Sequence, residues 1–135
     1  MLRSILVIAT LLVASAPLRA EIIKIDVAGL EQLRHKGVPV IDLRTPGEWS
    51  HTGVIEGSHL LTFADAGGRY DVSGWAVRLA AIAAPDEPIA LICGIGRRSS
   101  IASRILDREH GYEQVFDVVG GMKRWIAEGR ATVRP

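Results

Sequence analysis

Ile89-Ala90-Leu91-Ile92-Cys93-Gly94-Ile95-Gly96-Arg97-Arg98-Ser99 joins a fully apolar run to a glycine-rich turn and then to two cations. A short unbroken apolar run bounded by turn residues is the mark of a strand buried on both faces, as inside a parallel sheet. Downstream, the spacing predicts a helix from Ser99 or Ser100 to about His110, with Ile101, Ile105 and Leu106 on its inward face. Strand, tight turn and helix form the repeating unit of an α/β fold, and ligands bind such sheets at the carboxyl ends of the strands.

The same alternation extends in both directions. Upstream, residues 22–25 suit a short first strand, Asp26 suits an N-cap, and a helix should run to about His35 before Gly37 ends it. Residues 38–43 (VPVIDL) read as a buried strand with Pro39 at its start, where no ladder donor is needed. Thr45-Pro46-Gly47-Glu48 places a cap, an N1 proline and an N3 glutamate in capping-box register, so a short helix should begin there. Residues 58–61 are a weaker strand, and residues 62–74, with three glycines, read as a loop. Trp75, Leu79, Ile82 and Ala83 keep helical spacing until Pro85. Residues 115–119 predict a last strand, and Gly120-Gly121 turn the chain into a final helix through Met122, Trp125 and Ile126, ended by Gly129. The expected architecture is one α/β domain with a mostly parallel central sheet of about five strands and helices on both faces.

Residues 1–20 read as a targeting segment. Arg3 supplies a positive start and residues 5–16 (ILVIATLLVASA) are almost all apolar, too short to span a bilayer comfortably but right for a signal-peptide core. Cleavage after Ala20 would leave Glu21 first and place the protein in the periplasm or outside the cell; a retained anchor is the alternative, because Leu18 is larger than ideal near the cut. There is no cysteine at the cut to carry a lipid. Residues 21–135 then have the length of one domain. Removing Arg3 and Arg19 from 16 basic residues leaves 14 against 15 acidic ones, a net charge of −1. That balance gives no reason to expect nucleic acid or, once the leader is gone, a membrane surface as partner.

A lone cysteine cannot form an internal disulfide, so Cys93 is either an inert buried thiol or a reactive one. Its neighbours favour reactivity. Gly94 and Gly96 allow a compact turn that aims backbone N–H groups inward, and these add to the unpaired donors and positive dipole of the helix start. With Arg97 and Arg98 nearby, such a setting favours thiolate over thiol without a separate general base. No His–Asp pair suited to activating the nucleophile is evident. The four histidines, His35, His51, His59 and His110, have no ligand spacing with one another or with Cys93, so neither a metal nor another cofactor is expected. Trp49, Trp75 and Trp125 are scattered and suit the core.

The segment from Cys93 to Ser99 matches C-x-x-G-x-R-S, and in this respect the chain resembles the rhodanese-like family. Three more segments agree in order: residues 40–49 (VIDLRTPGEW) are similar to the family's D-x-R-x-P-x-E-[WYF] element, 53–58 (GVIEGS) to its G-H-I-x-G-A, and 120–125 (GGMKRW) to its G-G-x-x-x-W. The resemblance covers essentially all of residues 21–135, and with the leader it points to the small exported single-domain members from bacteria. It implies sulfur transfer through a persulfide: the Cys93 thiolate takes sulfane sulfur from a small donor such as thiosulfate and passes it to cyanide or a thiol. The amides of Gly94, Ile95, Gly96, Arg97, Arg98 and Ser99 would hold the persulfide, Arg97 or Arg98 would attract the anionic donor, and Asp42, Arg44 and Glu48 would support this face as an ion-pair and capping set. Val54 and His59 depart from the family's usual His and Asn. Two other readings remain: a cysteine-dependent phosphatase or arsenate reductase, whose loop has five residues between Cys and Arg against four here, and a non-catalytic module of the same scaffold serving as sulfur carrier or binding partner.

Overall fold

The structure is a computed structural model whose described residues are 21–135. The expected leader lies outside them. Elements follow in strict alternation: β1 (Glu21–Ile25), α1 (Val27–His35), β2 (Val40–Asp42), α2 (Pro46–Thr52), β3 (His59–Leu60), α3 (Val72–Ile82), β4 (Ile89–Ile92), α4 (Arg97–Glu109), β5 (Gln114–Val118) and α5 (Gly121–Ala127). The five strands form one sheet in the order β1-β5-β4-β2-β3, and each ladder is parallel. Where the sequence suggests a mostly parallel sheet, the sheet is wholly so. The central strands β2 and β4 are buried throughout, which is why they read as unbroken apolar runs.

Period-two alternation sends successive side chains into two separate cores. Ile41, Leu43, Ile89, Leu91 and Val115 pack with Trp75 and Leu79 of α3 and Ala102 and Leu106 of α4. Val40, Ala90, Ile92 and Val118 pack on the other side with Val27 and Leu30 of α1 and Met122 and Trp125 of α5. Helices thus cover both faces. Among the described residues no helix is long and apolar enough to cross a membrane.

Three expectations change. The stretch 62–74 is not loop to its end: Asp71 caps α3, its carboxylate accepting from the Gly74 amide at 3.1 Å, so glycine and serine that read as loop form the helix's first turn. Helix α4 starts at Arg97 rather than Ser99, because Gly96 takes a left-handed conformation (φ +99°) and turns the chain two residues earlier. Ile101 faces outward, whereas Ser99, Ala102, Ser103 and Leu106 face in. The inward stripe keeps the i, i+3, i+4, i+7 rule but starts from Ser99, anchored by its hydrogen bond to Asp117 in β5.

Candidate active site

Cys93 follows β4 directly, and strand alternation sets its direction. Ile89 and Leu91 face the α3–α4 layer, and Cys93, two residues on, joins the same core. In β5 the same alternation turns Asp117, two residues after Val115, toward α4, and Leu91 and Asp117 pair in register across the two strands. Helix α4 begins above this point. Its N-cap, Gly96, has no side chain to satisfy the first-turn amides. The sulfur takes that place: Cys93 Sγ accepts from the Gly96 amide at 3.2 Å and from the Ser99 amide at 3.4 Å. Ser99 Oγ lies 3.7 Å from Sγ and donates to the buried Asp117 carboxylate at 2.7 Å, with the Gly96 carbonyl at 3.2 Å as a second acceptor. Its hydroxyl can accept from a thiol or, turned, donate to a sulfur anion.

The loop holds this shape because α5 is docked beneath it. Met122 donates its amide to the Cys93 carbonyl at 2.8 Å and Lys123 to the Gly94 carbonyl at 3.0 Å. So close an approach leaves no room for a side chain at Gly121, where a Cβ would overlap the Cys93 carbonyl oxygen and lie 2.6 Å from that of Gly94. Cys93 itself is 0% exposed, so an incoming molecule must displace part of the loop wall to reach the sulfur.

Glu48 and Arg98 meet in a two-pronged ion pair, with Nη1 to Oε2 at 2.8 Å and Nη2 to Oε1 at 2.7 Å. Glu48 also completes the capping box, accepting the Thr45 amide at 2.9 Å while Thr45 Oγ1 accepts the Glu48 amide at 3.4 Å. The Arg98 hydrogen bonds, with help from Thr45 and against partial burial, hold the Glu48 carboxyl down at about 2, and the same contact raises Arg98. Of the two arginines expected to attract the anionic donor, Arg98 has both terminal nitrogens committed to Glu48, and the pair braces α2 against α4 beside Gly94. Arg97 remains exposed, with no ion-pair partner among the described residues.

Asp42 and Arg44 form a second, fully buried pair. Nε and Nη2 of Arg44 meet the two carboxylate oxygens at 3.0 and 2.8 Å, while Nη1 reaches Thr52 Oγ1 at 2.7 Å and Nη2 the Gly53 carbonyl at 3.0 Å. This ties the end of β2 to the end of α2 and does not touch the sulfur. Of the six amides expected to face the sulfur, those of Gly96 and Ser99 reach Sγ; Gly94 forms loop wall, and Ile95 projects from the loop, 57% exposed. Asp117 is the site residue that sequence reasoning overlooks, and its signal is an acid inside the apolar strand Gln114–Val118. Trp75 and Trp125 are core residues, whereas Trp49 is half-buried. His35 bonds Glu31, His51 and His59 are exposed, and the half-buried His110 keeps Nε2 without a partner among the described residues.

A family model described as the rhodanese-like domain matches residues 26–128. Among solved structures, a rhodanese-related protein from Thermoplasma volcanium is 29% identical, with a TM-score of 0.62 over 84% of this chain and 99% of the other. A polysulfide-sulfur transferase from Wolinella succinogenes, a homodimer, has a TM-score of 0.63 at 21% identity over 83% of this chain and 78% of its own. A protein from Rhodopseudomonas palustris described as a possible tyrosine phosphatase has a TM-score of 0.63 at 24% identity, over 83% and 85%. The last two likenesses concern the fold alone. A search of curated proteins gave no match.

Proposed function

Because the chain belongs to the rhodanese-like domain family, we propose that it is a sulfurtransferase that carries sulfane sulfur as a persulfide on Cys93. The observation that carries the reading is the sulfur's place as the cap of a helix start: two backbone amides and the dipole of α4 converge on Sγ, which suits a negatively charged sulfur. In the first half-reaction the Cys93 thiolate attacks the outer sulfur of thiosulfate. A new S–S bond forms, the old one breaks, and sulfite leaves with the bonding pair. In the second, cyanide or a thiolate attacks the outer sulfur of the persulfide and Cys93 departs as thiolate.

The Gly96 and Ser99 amides hold the anion in both states, and Ser99, fixed by Asp117, offers a third donor when its hydroxyl turns. Arg97 attracts the donor; Glu48–Arg98 and Asp42–Arg44 hold the frame. A cradle with four residues between Cys93 and Arg98 suits a single sulfur better than a tetrahedral oxyanion, which favours this reading over a phosphatase. With residues 1–20 read as an export leader, the domain at 21–135 works in the periplasm or outside the cell. Cys93→Ser should abolish thiocyanate formation from thiosulfate and cyanide while the circular dichroism spectrum and melting temperature stay near those of the parent. Retained turnover in this variant would eliminate Cys93 as the sulfur carrier.

A further inference from the structure

The surface around the loop is hollowed on several sides. Ile95, at the loop tip, lines three separate cavities. One, of about 600 Å³, runs between α2 and α5 and is floored by apolar side chains that include Met122 and Ile126. A second, of about 440 Å³, lies on the other side of the loop and is walled by Lys24, Arg97 and Arg104 with Val119. The third adds Lys123 and Arg124 of α5. Ile95, Val119 and Ile126 are all well exposed, so the loop stands in an apolar centre with a cationic rim.

Lys24, Arg97, Lys123 and Arg124 have no ion-pair partner among the described residues, and Arg104 reaches the Ser100 hydroxyl at 3.5 Å. The acids that line these cavities are already engaged: Glu48 by Arg98 and Asp117 by Ser99. This cationic rim sits on a domain whose net charge over residues 21–135 is −1, so the positive field is local to the loop.

Resting on the sulfurtransferase reading, we infer that the acceptor is a thiol on an acidic protein surface, which docks an apolar side chain against Ile95 and Ile126 and its carboxylates on the basic rim. A small thiol needs neither the groove nor the rim, whereas a protein thiol needs both to be brought to a buried sulfur. In the transfer the acceptor thiolate attacks the outer sulfur of the Cys93 persulfide, forming an acceptor persulfide and releasing the Cys93 thiolate.

The test uses the domain loaded with thiosulfate, with the persulfide first verified by intact mass; failure to load would strike the sulfurtransferase reading and leave the acceptor question separate. Loaded protein is then offered a peptide with one cysteine flanked by leucine and glutamates, the same peptide with lysines for glutamates, glutathione, and neutral 2-mercaptoethanol. Transfer to the glutamate peptide should exceed that to the lysine peptide by roughly tenfold or more at low salt and fall toward it in 0.5 M salt, the range expected of electrostatic steering. The double variant Arg104→Glu with Arg124→Glu should slow the glutamate peptide roughly tenfold and leave 2-mercaptoethanol unchanged. Equal rates for the two peptides would overturn the inference. So would glutathione as fast as the glutamate peptide, an unaltered double variant, or an oligonucleotide of equal charge that blocks transfer as well as the peptide competes for it.

Discussion

Glu48 joins three structural roles in one carboxylate: the N3 position of a capping box, the partner of Arg98, and part of the wall beside Gly94. Its carboxyl is held down at about 2 against an ordinary 4.5, chiefly by the Arg98 hydrogen bonds. Since the folded value lies below the unfolded one, this stabilisation is fully present above pH 4.5 and is lost as pH falls through about 2. The side chain is 37% exposed, so solvent screening limits the contribution to about 1 kcal/mol. Glu48→Gln should therefore be less stable than the parent by up to that amount at pH 7, with the gap closing toward pH 2; urea titrations at both pH values measure it, and a constant gap would refute the ion-pair assignment. The capping box is legible in sequence because Thr45 and Glu48 are three residues apart. Arg98 lies 50 residues from Glu48, and spacing along the chain carries no information about that partnership.

At the scale of elements, the turn between β4 and α4 keeps its form because α5 presents two amides to it and Gly121 lets them come close. Gly121→Ala should cost about 2–3 kcal/mol through overpacking and a strained positive φ, read as a lowered denaturation midpoint at unchanged slope. Persulfide formation should fall with it; a fully stable and active variant would mean that α5 does not support the loop. The Asp42–Arg44 pair ties β2 to α2 where no water can replace a lost partner, so Asp42→Asn should destabilise by about 3–5 kcal/mol, again by urea titration. The apolar strands and the glycines between them are legible because burial and turn chemistry act locally. The inward face of α4 is not, because hydropathy favours Ile101 while the Ser99–Asp117 hydrogen bond, a contact between distant segments, turns Ser99, Ala102 and Ser103 toward the sheet. Asp117 escapes for the same reason: the sequence marks it as an acid in an apolar strand but not which layer it faces.

Across the whole molecule, the chain's far end returns to close the domain. Val133 exchanges both backbone hydrogen bonds with Val54, at 2.9 and 2.8 Å, and the Trp125 indole donates to the Ala131 carbonyl at 2.9 Å, so the departure at Val54 from the family's usual histidine coincides with a strand bridge in which Val54 is buried and Val133 exposed. Removing residues 131–135 should lower stability by about 1–3 kcal/mol and change the fluorescence of Trp125 without abolishing sulfur transfer; unchanged stability would show the bridge to be inconsequential. The two cores and the all-parallel sheet serve to bring one sulfur to the start of one helix. Because the protein has a single cysteine, the intact mass after incubation with thiosulfate reads that arrangement directly. A gain of about 32 Da, absent from Cys93→Ser and removed by cyanide, is the result expected of a persulfide carrier. An unchanged mass in excess donor, with the thiol verified as reduced, would contradict it.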